Sequence, residues 1–220
     1  MRPLPIAPVN RYYVSLGDAR SRNGNGYVGA ASGFYERLVA GDPSWKMIAL
    51  ATDGATAATV RYVQLPRLLE INAAPSLITM TIGASELSRL AFGDSKAVCA
   101  ELCKHGGAVL ASLRVVSLRA EILLATLYDP MDGKEADLAE GVARYNETLR
   151  TLAAVHGAAV ADVCPAFAGH GARAGDPLTA DASPPNQELY LCAGADLSPI
   201  PNRYGATAFT SALWEAYEAG

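Results

Sequence analysis

The chain has 220 residues, half of them hydrophobic and 18% charged, with a formal net charge of −4. That length and balance suit one folded domain over residues 1–220 and exclude a disordered chain. Net acidity with scattered Lys and Arg leaves no electrostatic footprint for nucleic acid or an anionic membrane. The longest apolar runs, such as SLITMTI, are strand-length and far short of a membrane span. The opening stretch MRPLPIAPVNR lacks the apolar core of a secretory signal, so a cytoplasmic protein is expected.

In chain order, RYYVSLG (11–17) predicts a first strand, with Tyr12 and Tyr13 as core residues at its amino end. A helix is expected over about 28–40, with Phe34, Leu38 and Tyr35 inward. WKMIALA (45–51) predicts a second strand. A helix through ATVRYVQLPRLL follows, which Pro66 should bend or end. SLITMTI (76–82) and AEILLATLY (120–128) predict the third and fourth strands. Leu138, Val142, Tyr145, Leu149 and Leu152 recur at four- and three-residue spacing and predict one face of a helix over 136–156. AAVADV (158–163) predicts a fifth strand, and a helix over about 203–218 closes the chain, with Trp214 packed on it.

Near-continuous apolar strands separated by helices predict a parallel sheet covered on both faces. Such sheets bind ligands beyond the carboxyl ends of their strands. The segments to inspect are therefore 17–27, 52–56, 83–88, 128–135 and 164–202. The last is long, irregular and rich in Pro, Gly and Asp.

Four cysteines lie at 99, 103, 164 and 192, with no Cys/His spacing for zinc. Cys99 and Cys103 are expected to be buried thiols, and Cys192 lies nearer the candidate site. His105, before Gly106-Gly107, and His156, before Gly157, are expected at helix C-termini. His170 alone falls on the ligand-binding side of the sheet. It reads as an exposed loop histidine that could swing into the pocket. No phosphate-binding glycine loop or metal cluster is present, so no cofactor is expected. The oligomeric state is left open.

Four blocks in order resemble the SGNH (GDSL-type) hydrolases. They are VSLGDARS, LATDGATAATV, ITMTIGASEL and DLSPIPNRYGATAF. The resemblance implies a flavodoxin-like three-layer α/β/α sandwich with a five-stranded parallel sheet. It also implies esterase, lipase or acyl-hydrolase ancestry. It places Ala19 at the nucleophilic serine and Gly54 at the oxyanion-hole glycine. Gly83-Ala84-Ser85-Glu86 stands where the family has Gly-x-Asn-Asp. Ile200 falls at the histidine and Leu197 at the acid, with Asp196 one residue earlier. Alanine cannot attack a carbonyl and isoleucine cannot move a proton.

The polar residues left near that cleft are the other candidates. Asp18 is either a structural turn holder or a general acid or base. Glu86 points either into the cleft or out to water. Ser85 either keeps the donor role of the missing asparagine or is only a small turn residue. Arg20 and Arg22 either bind an anionic oxygen or lie solvated on the surface. Ser21, Asn23, Asn25, Ser198 and Asn202 complete the polar set, Tyr190 and Cys192 could line the pocket, and RSRNGNG could form a lid.

Three functions are weighed. The first is an enzyme repurposed for acid/base chemistry on a small metabolite, by cyclisation, elimination, isomerisation or water-mediated hydrolysis. The Ala-, Gly- and Arg-rich composition suggests bacterial natural-product biosynthesis as its setting. The second is an esterase whose serine was replaced by Ala19. The third is a catalytically dead binding module.

Overall fold

The computed structural model describes residues 11–18, 20, 29–174, 191 and 200–220. The elements run β1 (Arg11–Gly17), α1 (Ala30–Gly41), β2 (Trp45–Ala49), α2 (Ala57–Thr59), a π-turn (Val60–Gln64) and α3 (Leu65–Ile71). They continue with β3 (Pro75–Thr81), a 3-10 turn (Ala84–Glu86), α4 (Leu87–Ala91), α5 (Ser95–Glu101), a second π-turn (Leu102–Gly106) and α6 (Gly107–Val116). Last come β4 (Glu121–Ala125), α7 (Ala136–His156), β5 (Ala159–Ala161), α8 (Val163–Ala166) and α9 (Arg203–Glu218).

The five strands form one all-parallel sheet in the order β2-β1-β3-β4-β5. This is the flavodoxin-like arrangement, with helices on both faces. Successive side chains of a strand point to opposite faces. Tyr13, Leu77 and Leu123 therefore meet α1 and α9, where Phe34, Phe209 and Leu213 are buried. Val14, Leu16, Ile78, Met80, Ile122 and Leu124 meet the other layer, against Val60, Leu68, Leu110, Val142 and Leu149. Burial on both sides explains why the strands read as near-continuous apolar runs. Trp214 packs edge-to-face on Phe34, with ring centroids 5.8 Å apart.

Several expectations need correction. Tyr13 is buried, but Tyr12 is only half-buried. Pro66 does not end its helix. The π-turn before it carries the Leu65 N–H to the Val60 carbonyl, and the helix continues to Ile71. His105 does not sit at a helix end, because Gly106-Gly107 does not stop the chain. A Cβ on Gly106 would lie 3.6 Å from Leu152 of α7, and one on Gly107 would lie 3.4 Å from the same side chain. These glycines are where two helices approach closely. Cys103 is exposed and Cys99 half-buried, because Val98, Leu102, Val109 and Leu113 take the inward face. His156 does end α7, capped by Gly157 in the left-handed region at φ 62°. Among the described residues, no helix is long and apolar enough to cross a membrane.

Candidate functional site

The site is built where β1 and β3 end side by side. Gly17 has φ 107°, and a Cβ there would overlap the Thr81 carbonyl oxygen. Only glycine lets the chain turn so close to β3. The Asp18 N–H then donates to that same carbonyl at 2.7 Å. Gln64 clamps the turn from the first π-turn. The Gly17 N–H donates to its Oε1 at 2.7 Å. Its Nε2 donates to the Gly17 carbonyl at 2.9 Å and to Thr52 Oγ1 at 3.2 Å. Asn146 makes a matching clamp beyond β4. It accepts from the Leu127 N–H and donates to the Leu127 carbonyl, both at 2.7 Å.

Asp18 is fully buried and holds three groups. The Arg20 N–H donates to Oδ1 at 3.1 Å, and the Ala84 N–H donates to Oδ2 at 3.2 Å. The Arg20 guanidinium adds a forked pair through Nε and Nη2, each at 3.0 Å to its nearer carboxylate oxygen. The amide bonds fit the turn-holding reading. Of the two readings of Arg20, the solvated one is ruled out, since the residue is only 1% exposed. A buried guanidinium persists when a carboxylate balances it. Burial pulls its pKa down, and the charge and hydrogen bonds of Asp18 more than offset this, so the net direction is up. The guanidinium also lies over the Tyr128 ring, 5.8 Å from the centroid. That ring stacks on Phe167, with centroids 4.0 Å apart.

Glu86 is buried at the close of the 3-10 turn, and its N–H donates to the Gly83 carbonyl at 3.1 Å. Desolvation, reinforced by the charge of Asp18, pushes its carboxyl up from 4.5 to about 7, with Arg20 pulling the other way. Tyr145 arrives from α7. Gly83, at φ 123°, makes room for it, since a Cβ there would lie 3.1 Å from ring atoms Cε1 and Cζ. Burial, then the charge of Glu86, raises the Tyr145 hydroxyl well above its usual pKa. Three buried polar atoms of this cluster have no hydrogen-bond partner. They are Arg20 Nη1, Glu86 Oε2 and Tyr145 Oη. Each such atom costs about 1–3 kcal/mol in an apolar surrounding.

The remaining candidates are placed less centrally. Ser85 is exposed in the middle of the 3-10 turn. Gly54 is exposed at φ 71°, in the loop after β2. Ile200 is 38% exposed, next to Pro201, which bridges to Leu191. The Asn202 side chain caps α9, accepting from the Tyr204 and Gly205 amides at 2.9 and 3.1 Å, and donates to the Leu191 carbonyl. His170 is not an exposed loop residue. It is 5% exposed, because the Asp132 carboxylate draws in the Gly169, Gly171 and Arg173 amides on either side of it. Ala19, Ser21, Arg22, Asn23, Asn25, Tyr190, Cys192, Asp196, Leu197 and Ser198 lie outside the described residues. Among the described residues, no group of three His, Cys, Asp or Glu side chains is arranged to hold a metal.

Sequence reasoning missed Gln64, Asn146, Asp132 and the reach of Tyr145 into the cluster. A signal existed for the two amides. Gln64 falls four residues after Val60 and four before Leu68, and Asn146 falls four after Val142 and three before Leu149. A polar residue within an apolar stripe is buried, and a buried amide has a partner.

No family model matches the chain, and no curated protein matches it by sequence. Solved structures do match it. Phospholipase A1 from Streptomyces albidoflavus is 19% identical with a TM-score of 0.66, covering 94% of this chain and 99% of its own. A catalytic mutant of an acetylxylan esterase from Geobacillus stearothermophilus, with a serine replaced by alanine, is 16% identical with a TM-score of 0.69, covering 96% of both chains. A protein described as a GDSL-like lipase from Parabacteroides merdae is 14% identical with a TM-score of 0.61, covering 96% of this chain and 98% of its own. The chain has the fold of the SGNH, or GDSL-type, hydrolases.

Proposed function

We propose that the chain is an SGNH-fold enzyme that moves a proton through Glu86 and forms no acyl-enzyme. The observation that carries this reading is Glu86 itself. It is a buried carboxyl with an unpartnered oxygen and a pKa of about 7, held beside the Asp18–Arg20 pair. A proton-transfer group is most effective when its pKa lies near the working pH. In the resemblance to the SGNH hydrolases, Ala19 and Ile200 stand where the serine mechanism needs a nucleophile and a base. The reaction is therefore acid/base-assisted cyclisation, elimination, isomerisation or water-mediated hydrolysis of a small metabolite. Bacterial natural-product biosynthesis is the setting the composition favours.

The test compares the protein with Ala19→Ser on short and medium acyl p-nitrophenyl esters. Both forms are expected to be inactive. Strong activity in the serine form would make the chain an esterase lacking its nucleophile and would overturn the reading. A screen of small carbonyl metabolites supplies the positive arm. Turnover found there should follow a pH profile with an inflection near 7 and vanish in Glu86→Gln. Capture of a metabolite without turnover would reassign the chain as a binding module.

A further inference from the structure

We propose that Arg20 and Tyr145 together bind the carboxylate of a small monoanionic ligand, at the turn formed by Gly83 and Ala84. The proposal rests on the reading of this cluster as the reactive site, and it assigns that site a substrate class. Arg20 and Tyr145 are each 1% exposed, and Glu86 is 7% exposed. They come from the loop after β1, from α7 and from the turn after β3, respectively. One turn gathers them. The Tyr145 atom that bears the hydroxyl lies against Gly83, the Glu86 amide bonds the Gly83 carbonyl, and the Ala84 amide bonds Asp18, which holds Arg20. Yet Arg20 Nη1, Tyr145 Oη and Glu86 Oε2 bond neither one another nor anything else. Buried polar groups in folded proteins are nearly all paired, so three orphans at one turn imply a missing partner.

The chemistry of that partner follows from the donors. Arg20 Nη1 and the Tyr145 hydroxyl both donate, and a protonated Glu86 adds a third donor. Two acceptor oxygens on one planar group suit this set. Charge narrows the choice. Asp18 already balances Arg20, so a dianion such as phosphate adds two uncompensated charges to a buried site where a carboxylate adds one. A carboxylate beside Glu86 also disfavours its ionised form, so binding above pH 7 takes up a proton.

The experiment is calorimetric titration with acetate and with pyruvate, in two buffers of different ionisation enthalpy, with inorganic phosphate as contrast. At least one carboxylate is expected to bind with proton uptake, and phosphate more weakly. Tyr145→Phe removes only an unpartnered hydroxyl, keeps the fold, and should weaken carboxylate binding about tenfold or more. Arg20→Lys should weaken it further. Because that variant can fail to fold, Tyr145→Phe decides. Failure of both carboxylates to bind at millimolar concentration, equal binding by the phenylalanine form, or tighter binding of phosphate would each overturn the proposal. So would loss of stability in Tyr145→Phe with unchanged binding, which would identify the partner as an ordered water. Carboxylate binding with turnover intact in Glu86→Gln would keep this site and sink the acid/base reading. Glu86-dependent turnover with full binding by the phenylalanine form would do the reverse.

Discussion

Replacing Glu86 by glutamine should remove a pH-dependent loss of stability. The carboxyl has an ordinary pKa of 4.5 and titrates at about 7 in the folded chain. Below pH 4.5 both states carry the proton, and the contribution of Glu86 to folding is fully present. Between the two values the folded chain keeps a proton that the unfolded chain has released. Each rising pH unit then weakens folding by about 1.4 kcal/mol. Above pH 7 both states are ionised, and the loss is complete at about 3 kcal/mol. Glutamine has nearly the same shape and no charge to desolvate. Relative to its own stability at pH 4.5, Glu86→Gln should therefore hold about 3 kcal/mol more than the parent above pH 7. For a chain of this size that is roughly 6–12 °C in melting temperature. Urea denaturation of both forms, at pH 4.5 and above pH 7, measures it. Parallel pH profiles would mean that Glu86 ionises near 4.5, and the proposed acid/base group would be lost with them.

Other outcomes follow from the same cluster. Asp18→Asn strands the buried Arg20 charge and should cost about 3–5 kcal/mol, while Asp18→Asn combined with Arg20→Leu should cost less than the two single changes summed. A double-mutant cycle by chemical denaturation checks this. Without ligand, Tyr145→Phe should leave stability unchanged or raise it by about 1 kcal/mol, since the hydroxyl has no partner; differential scanning calorimetry reads the sign. Gln64→Ala orphans the buried Gly17 N–H and should cost about 2–3 kcal/mol, seen as a lower urea midpoint at unchanged slope.

The fold was legible because local and long-range demands agree. Strands buried on both faces are written as apolar runs, and the stripe on α7 has helical spacing along its whole length. The helices around the two π-turns were harder, because Pro66 and Gly106-Gly107 carry the local marks of helix ends. Their actual roles depend on a widened turn and on the approach of Leu152 from α7. The site was half legible. The order of the blocks picks out Asp18 and Glu86, but the burial of Arg20 depends on its setting in the folded chain. Asp18, which pairs it, is anchored by an amide 66 residues further on, and Tyr145 reaches the same turn from α7. Only the closed fold shows that an arginine in RSRNGNG points inward.

The sheet order has a consequence for the growing polypeptide. Of the five described strands, β1 is made before the rest and lies inside the sheet, between β2 and β3. It cannot be covered on both edges until residues 75–81 are synthesised, and β4 and β5 then extend the sheet outward in order of appearance. An apolar central strand that waits for partners is an aggregation hazard. The carboxyl end of that strand carries Asp18, whose amide bonds the last residue of β3. Pulse-labelled hydrogen exchange on stalled nascent chains should find the Asp18 amide open until β3 has emerged and protected soon after. The turn that holds Asp18 would then set well before the helix that delivers Tyr145 to it.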